Sequence, residues 1–440
     1  MEIWQLSALS AGNLGGVSID CRCRLTHTVT TGQIVFGAGI SAELPRILGA
    51  VVPAGCKIAA LTEEKLYEDI ARPLIRRLER AGYRITGRCF DAPPDDIEGC
   101  QTDISEDTLA VLGIGGGAVA DAAKYTSSMR GLPCILILTS PAVMGGLVPS
   151  AMLFKDGFVE VYKAPPPAAL VCDTDFFDTL PPEAAAAALG EIAGVLCALF
   201  DWRVARLLTG EYYCPYLAQA ADDIISSLLG RLKDSPAALP AEVMAWACEC
   251  ALKLSAVTQM IGNSRLTCGG EAHVAHALLM LLRRQARERR LWGEYVHITA
   301  VNTLQLYINE LNNNIAPGFI PPPDNNARMD KIAGYLKVPW LRAGDKIGPP
   351  YDKRTYDISA YKLIECRGEL TAEASAALDK VLRLRHAARK MYDDFGYELG
   401  RHISAADLDI CTALAPDIRE KFSLLTQFKN MGLLERLYDN

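Results

Sequence analysis

The stretch Leu109-Ala-Val-Leu-Gly113-Ile-Gly115-Gly116-Gly117-Ala-Val-Ala-Asp121 decides the fold. A short apolar run runs straight into glycines, and small residues compatible with a helix follow. A buried strand turning through glycine into a helix is the opening of a βα unit. Glycines at such a junction let backbone N–H groups approach a pyrophosphate, and the helix N-terminus adds partial positive charge. The run reads GxGGGxxxD rather than GxGxxG. Gly115, Gly116, Gly117 and the trailing Asp121 are therefore candidate nucleotide contacts, although a tight structural turn would use the same glycines.

Outward from this motif the pattern repeats. Gln33 to Phe36, Lys57 to Leu61 and Cys134 to Leu138 read as further buried strands. Helical spacing covers Ser41 to Ile47, with Ser41 as candidate N-cap, Leu66 to Ala81 and Ala118 to Met129. Strands alternating with helices predict an α/β domain with an open, mostly parallel sheet and helices on both faces. Beyond Leu180-Pro181-Pro182 the pattern changes: Pro182 to Phe200, Ala241 to Ile261, Val274 to Arg290, Glu294 to Glu310, Ala372 to Leu399 and Ile418 to Leu437 all read as helices. The expected division is residues 1–181 as a nucleotide-binding α/β domain and 182–440 as an all-α domain. The four prolines of Ile315 to Asp324 make that stretch a loop.

Composition narrows the function classes. The 440 residues carry 45 basic against 52 acidic groups, a net charge of -7, and 50% are hydrophobic. That excludes a disordered chain and argues against a nucleic-acid partner recruited by overall charge. The longest uncharged window, Gly131 to Phe154, holds Pro133, Pro141 and Pro149, so it reads as strand and loop rather than a membrane span. MEIWQLSALS lacks a basic n-region, and the expectation is a cytoplasmic protein with no membrane partner. Fourteen cysteines include no CxxC pair, only Cys21/Cys23 and Cys248/Cys250, and they read as reduced core residues.

Three positions flank the glycine turn in an open sheet. Glu63, just past one strand, could accept hydrogen bonds from a ribose diol, with Glu64 an equal candidate. Thr139 and Ser140 end another strand, where they could reach phosphate or nicotinamide or merely cap a turn. Lys124 reads as structural. The basic run Arg283 to Arg290 reads as a solvated helix end, with a phosphorylated partner as the alternative.

The order FGAG, GIGGGxxxDxxKY, GLPxxxxxT, GExxGxxxALxDW, SRxxxGGEAHxxH, WGEYV and APDIREKFSLL, from about Gly32 to Leu434, resembles the sn-glycerol-1-phosphate dehydrogenases. These belong with the iron-type alcohol dehydrogenases and dehydroquinate synthases. The resemblance implies a dehydroquinate synthase-like fold, NAD or NADP as cofactor, a small phosphorylated substrate, and an active site in an interdomain cleft. It also implies a divalent metal on one carboxylate and two histidines, polarising the substrate oxygen. The carboxylate position is Glu191, but the two histidine positions are Ala272 and Trp292, and Met144 replaces an aspartate of the family's loop. A divalent metal is therefore not expected at that position.

His276 and His297 are the compensating candidates, and His273, on the same helix as His276, is a candidate substrate contact. His276 and His297 lie about one helical turn beyond Ala272 and Trp292, so a displaced metal site with Glu191 is one option, and polar residues lining a cleft are the other. Arg265 matches a basic position for the substrate phosphate, with a salt bridge as the alternative. The reading is an NAD(P)(H)-dependent oxidoreductase working without metal, with Glu191, His276 and His297 as catalytic candidates. A lyase or cyclase of the dehydroquinate synthase kind and a non-catalytic nucleotide-binding homologue are the alternatives, and a homo-oligomer is left open.

Overall fold

A computed structural model describes residues 3–90, 104–142, 144–287, 291–313, 324–337, 353–393, 403–418 and 421–438. Two compact units are present: residues 1–155, 159–188 and 215–264 form one, and 156–158, 189–214 and 265–440 the other.

The first unit is built on six parallel strands, β3 (Gln33–Gly37), β4 (Lys57–Glu63), β5 (Arg84–Phe90), β6 (Thr108–Gly115), β7 (Cys134–Leu138) and β10 (Ala169–Asp173). Their spatial order is β3-β10-β7-β6-β4-β5. The predicted strands are all present, each within a residue or two; β5 and β10 were not foreseen. Successive connections run one way from β4 to β5 and the other way from β6 through β7 to β10. The gap between β4 and β6 is therefore the topological switch point. Helices α1 (Leu44–Gly49) and α2 (Arg72–Arg80) pack Leu44, Ile47, Leu74 and Leu78 against Ile58, Leu112, Ile135 and Val171. Helix α3 (Gly117–Arg130) contributes Ala122 and Tyr125 to a second cluster with Ala151, Leu153 and Ala164. The latter residues belong to or follow the two-stranded ribbon of β8 (Ser150–Lys155) and β9 (Phe158–Lys163).

Ser41 does not cap a helix with its hydroxyl. A short 3-10 turn, Ile40–Glu43, precedes α1, and the carboxylate of Asp173, at the end of β10, accepts from the Gly39 and Ser41 N–H groups at 2.9 Å each. Helix α2 starts later than its periodicity predicts, after a widened turn over Tyr67–Ala71, because Pro73 suits only a first helical turn. A small antiparallel ribbon, β1 (Ser18–Asp20) with β2 (Thr26–Thr28), precedes the sheet.

Helices α4 (Pro182–Thr209), α5 (Pro215–Asp234) and α6 (Pro240–Ile261) follow. The compact units do not follow a single cut at residue 181, because α5 and α6 group with the sheet. The side chains of α6 explain this. Gln259 Oε1 accepts from the Thr30 N–H at 2.8 Å, its Nε2 donates to Leu147 O at 2.8 Å, and Ser255 Oγ donates to Met144 O at 3.0 Å. Helix α4 is long and apolar enough to cross a membrane, yet 83% of its most apolar stretch is buried within the protein. It is a core helix.

The second unit holds most of α4 with α7 (Gly270–Arg284), α8 (Trp292–Asn312), α9 (Asn325–Leu336), α10 (Lys353–Met391), α11 (Ala405–Ile418) and α12 (Leu424–Asn430). A single helix from Ile418 to Leu437 does not form. Instead α11 ends at Ile418 and α12 begins at Leu424, with the Ser423 N–H before it donating to Thr426 Oγ1 at 3.3 Å. Parts of the proline-rich stretch and of the basic run (314–323 and 288–290) lie outside the described residues.

Candidate functional site

In the first unit, the predicted nucleotide residues gather at the carboxyl ends of three neighbouring strands. Gly115 ends β6 beside Leu138 of β7, and the Thr139 N–H donates to Gly115 O at 3.1 Å. Across the switch point, Thr62 of β4 pairs with Ile114, and Glu63 follows it, buried and ion-paired with Lys65 at 2.6 Å. The Thr62 hydroxyl is buried with no hydrogen-bond partner among the described residues. Ser140 follows Thr139, and its hydroxyl accepts from the Ala142 N–H at 3.3 Å.

The three glycines separate into two roles. A Cβ on Gly115 would sit 2.7 Å from Val119 Cγ2, so this glycine lets α3 close down on β6. Gly113 does the same, its Cβ falling 2.8 Å from that of Ala123. Gly116 and Gly117 face nothing so near: the closest atom to a Cβ is Ser140 Cβ at 3.8 Å for Gly116, and none lies within 4 Å for Gly117. Their bareness leaves backbone N–H groups at the start of α3 approachable. Gly115 thus holds the turn's shape, and Gly116 and Gly117 offer the surface.

Asp121 does not face that turn as an available carboxylate. It is buried and bound at 3.1 Å by Lys124, a fully buried side chain that also donates to Gly145 O at 2.6 Å and Ser150 O at 2.5 Å. Burial pushes Asp121 up, and the Lys124 charge pulls it back. The pair pins the loop after β7 under α3, and that is where Asp121 acts.

In the second unit, Asp201 of α4 is the central polar residue, which the sequence reading did not single out. Fully buried, it accepts from the Gly270 N–H at 2.6 Å, the Leu424 N–H at 2.8 Å and the Tyr307 hydroxyl at 3.1 Å. One carboxylate thus binds the starts of α7 and α12 and the middle of α8. Glu271 and Cys197 stand beside it, the three ligand atoms within 4.8 Å of one another. Burial first, then the Asp201 charge, pushes Glu271 up to about 8. Gly194 allows α4 to approach α8, since a Cβ there would collide with Val296. The signal that could have exposed Asp201 is its place in Ala198-Leu-Phe-Asp-Trp202, an acid within an apolar helix.

The predicted substrate and metal residues fare unevenly. Arg265 is nearly fully buried, its guanidinium held by both carboxylate oxygens of Glu211 and by Phe422 O at 2.7 Å. This is the salt-bridge alternative, and it leaves the guanidinium engaged rather than presented to a phosphate. Ala272 is buried on α7, and Trp292 starts α8 with its ring stacked on His276, centroids 5.0 Å apart and planes 19° from parallel. His273 and His297 are buried, and Glu191 is half-buried on α4. Burial, reinforced by the Arg385 charge, holds His297 down to about 3.

These residues do not fit the family's metal. Ala272 has no donor atom and an indole N–H cannot ligate. Nor do Glu191, His276 and His297 appear among the groups of three or more ligand atoms gathered within 4.8 Å in the described residues. A site displaced by one turn is not assembled here. Of the described part of the basic run, Arg287 pairs with Asp407 at 3.0 Å, and Arg284 donates to Asp156 O.

The sequence profile of the iron-containing alcohol dehydrogenases matches residues 35–181. The chain is 34% identical over 282 residues to a glycerol-1-phosphate dehydrogenase [NAD(P)+] of Methanospirillum hungatei, covering 62% of this chain and 75% of that one. It is 25% identical over 399 residues to the Bacillus licheniformis enzyme of the same name, covering 86% and 92%. Among solved structures, an archaeal alcohol dehydrogenase from a Red Sea brine pool superposes with a TM-score of 0.57 at 13% identity, over 94% of this chain and 98% of that one. Glycerol dehydrogenase of Schizosaccharomyces pombe gives 0.51 at 16%, over 84% and 94%. The structural likenesses establish the fold, α/β followed by helical.

Proposed function

Because the chain belongs to the glycerol-1-phosphate dehydrogenase family of iron-containing alcohol dehydrogenases, we propose that it interconverts a small phosphorylated ketone and its alcohol with NAD(H) or NADP(H), and that its chemistry no longer runs through the family's metal. It is an NAD(P)-dependent oxidoreductase. The observation that carries the nucleotide half is the convergence of Thr62-Glu63, Gly116-Gly117 and Thr139-Ser140 on neighbouring strand ends at the switch point of the sheet. Gly116 and Gly117 would receive the pyrophosphate on backbone N–H groups, and Glu63 would accept from the ribose hydroxyls.

In the reducing direction a hydride moves from the nicotinamide to the carbonyl carbon, and the carbonyl oxygen takes up a proton. Positively charged His297 is unavailable for that proton at neutral pH, since burial keeps its imidazole neutral. His276 is the better donor. Its ring is fixed by the stack on Trp292, so Trp292, which cannot ligate a metal, would orient the acid instead. Trp292 is in this reading a positioning residue.

Titration with NADH and NADPH tests the nucleotide half, and turnover of dihydroxyacetone phosphate tests the chemistry. His276→Asn is expected to lower kcat by about 10²–10⁴-fold with nucleotide affinity unchanged. Absence of nucleotide binding at millimolar concentration would overturn the proposal outright. Binding without turnover of any small ketone would leave the non-catalytic nucleotide-binding homologue.

A further inference from the structure

The cysteines supply a site that the dehydrogenase reading does not use. The ribbon β1–β2 turns over Cys21-Arg-Cys23-Arg-Leu25, with Arg24 in the left-handed region at φ 73° and the Cys21 N–H donating to Leu25 O at 3.0 Å. The turn brings both sulfurs round to His27, which sits opposite Ile19 on β2. Cys23 Sγ lies 3.2 Å from His27 Nε2, and the ligand atoms of Cys21, Cys23 and His27 are all within 4.8 Å of one another.

The chemistry around these atoms is that of a metal ligand set. His27 is 2% exposed, and its Nδ1 is 2.8 Å from Met260 O. A carbonyl only accepts, so Nδ1 carries the proton and Nε2 turns its lone pair towards the sulfurs. A backbone carbonyl fixing the tautomer in this way is the usual outer-shell partner of a ligating histidine. The Cys23 N–H donates to Cys21 Sγ at 3.3 Å, fixing the sulfur in the turn. With zinc–sulfur bonds of about 2.3 Å and zinc–nitrogen bonds of about 2.0–2.1 Å, tetrahedral ligands stand about 3.6–3.8 Å apart. Shifts of about an ångström or less bring the three atoms to that spacing.

We propose that Cys21, Cys23 and His27 supply three of the ligands of a zinc ion that stiffens the β1–β2 ribbon and holds His27 in its hydrogen bond to the C-terminal end of α6. Two thiolates and a neutral imidazole balance the charge of the ion, which suits a partly buried position. The ion joins contacts already made in the same place: Thr30 and Thr31 N–H groups donate to Gln259, and His27 donates to Met260. Zinc would thus steady the hydrogen bond that joins His27 to Met260, 233 positions along the chain. It is distinct from the lost metal position at Ala272 and Trp292, which would use histidine and carboxylate.

The test is metal content of the full chain, purified after thiol reduction and without chelators, followed by cobalt substitution. About one zinc per chain is expected for the wild type, falling more than tenfold in Cys21→Ser/Cys23→Ser. The cobalt form should show near-ultraviolet thiolate-to-metal charge transfer. Zinc retained by the double variant would overturn the proposal, and so would a wild-type protein that takes up no zinc in competition with a chromophoric chelator. Should the double variant fail to fold, the wild-type cobalt spectrum decides alone: absence of the charge-transfer band overturns the site. None of these readouts depends on dehydrogenase activity.

Discussion

Gly115 and Gly117 are two positions apart and should respond oppositely to the same methyl group. Gly115→Ala forces a contact with Val119 and is expected to cost about 1–3 kcal/mol of stability, read by urea denaturation. Gly117→Ala meets nothing and lies in a helix, where alanine is favoured by up to about 1 kcal/mol. Its effect should appear in nucleotide titration as a tenfold or greater loss, about 1.4 kcal/mol. If Gly117→Ala binds nucleotide normally, the turn is only structural. Two buried titrating groups shape the pH dependence with opposite signs. His297 falls from 6.5 to about 3 on folding, so the unfolded chain binds its proton more tightly, and stability drains as pH falls from about 6.5 to about 3. Glu271 rises from 4.5 to about 8, so its contribution is present below about 4.5 and drains as pH climbs through about 8. Denaturation across pH should show His297→Asn with a flatter acid limb and Glu271→Gln with a flatter neutral one.

Elements carry the next level of argument. Helix α3 is fastened to the loop after β7 through Lys124, so Lys124→Met strands the Asp121 carboxylate and two carbonyls in the interior. The expected loss is about 3–5 kcal/mol, with faster hydrogen exchange over residues 145–150. Adding Asp121→Leu should restore part of it, because the uncompensated charge is then gone. On α7 and α8 the comparison is with the family's ligand set. Ala272→His with Trp292→His puts back two imidazoles, and the double variant is expected to gain a divalent ion and metal-stimulated turnover that the parent lacks, measured by elemental analysis and kinetics. Failure to gain metal would mean that the helices have moved apart since the ligands were lost.

At the scale of the whole molecule, the sheet was legible because βα units announce themselves locally: apolar runs, glycine, then a helix, each within about thirty residues. The strand ends that carry the proposed nucleotide residues were legible for the same reason, since they are consecutive in sequence with those residues. What was not legible depends on residues far apart. Asp201 acquires its meaning from Gly270, Tyr307 and Leu424, Arg265 from Glu211, and α6 from its grip on residues 30 and 31. No periodicity records such partners. Most of the described cysteines are free and buried, as their sequence context predicts, but the nearness of Cys23 to His27 was not legible, because that distance is short only once the ribbon has turned.

The interrupted first unit has a temporal meaning as well. Its sheet is written by residue 173, but the helices that complete it, α5 and α6, end only at residue 261. At roughly 5–20 residues per second, the ribosome leaves the strands waiting for several seconds before α5 and α6 are made, with β3 at one open edge. A chain of this design must either be shielded during that interval or tolerate it, and the stretch between sheet and closing helices is where synthesis is most exposed to aggregation.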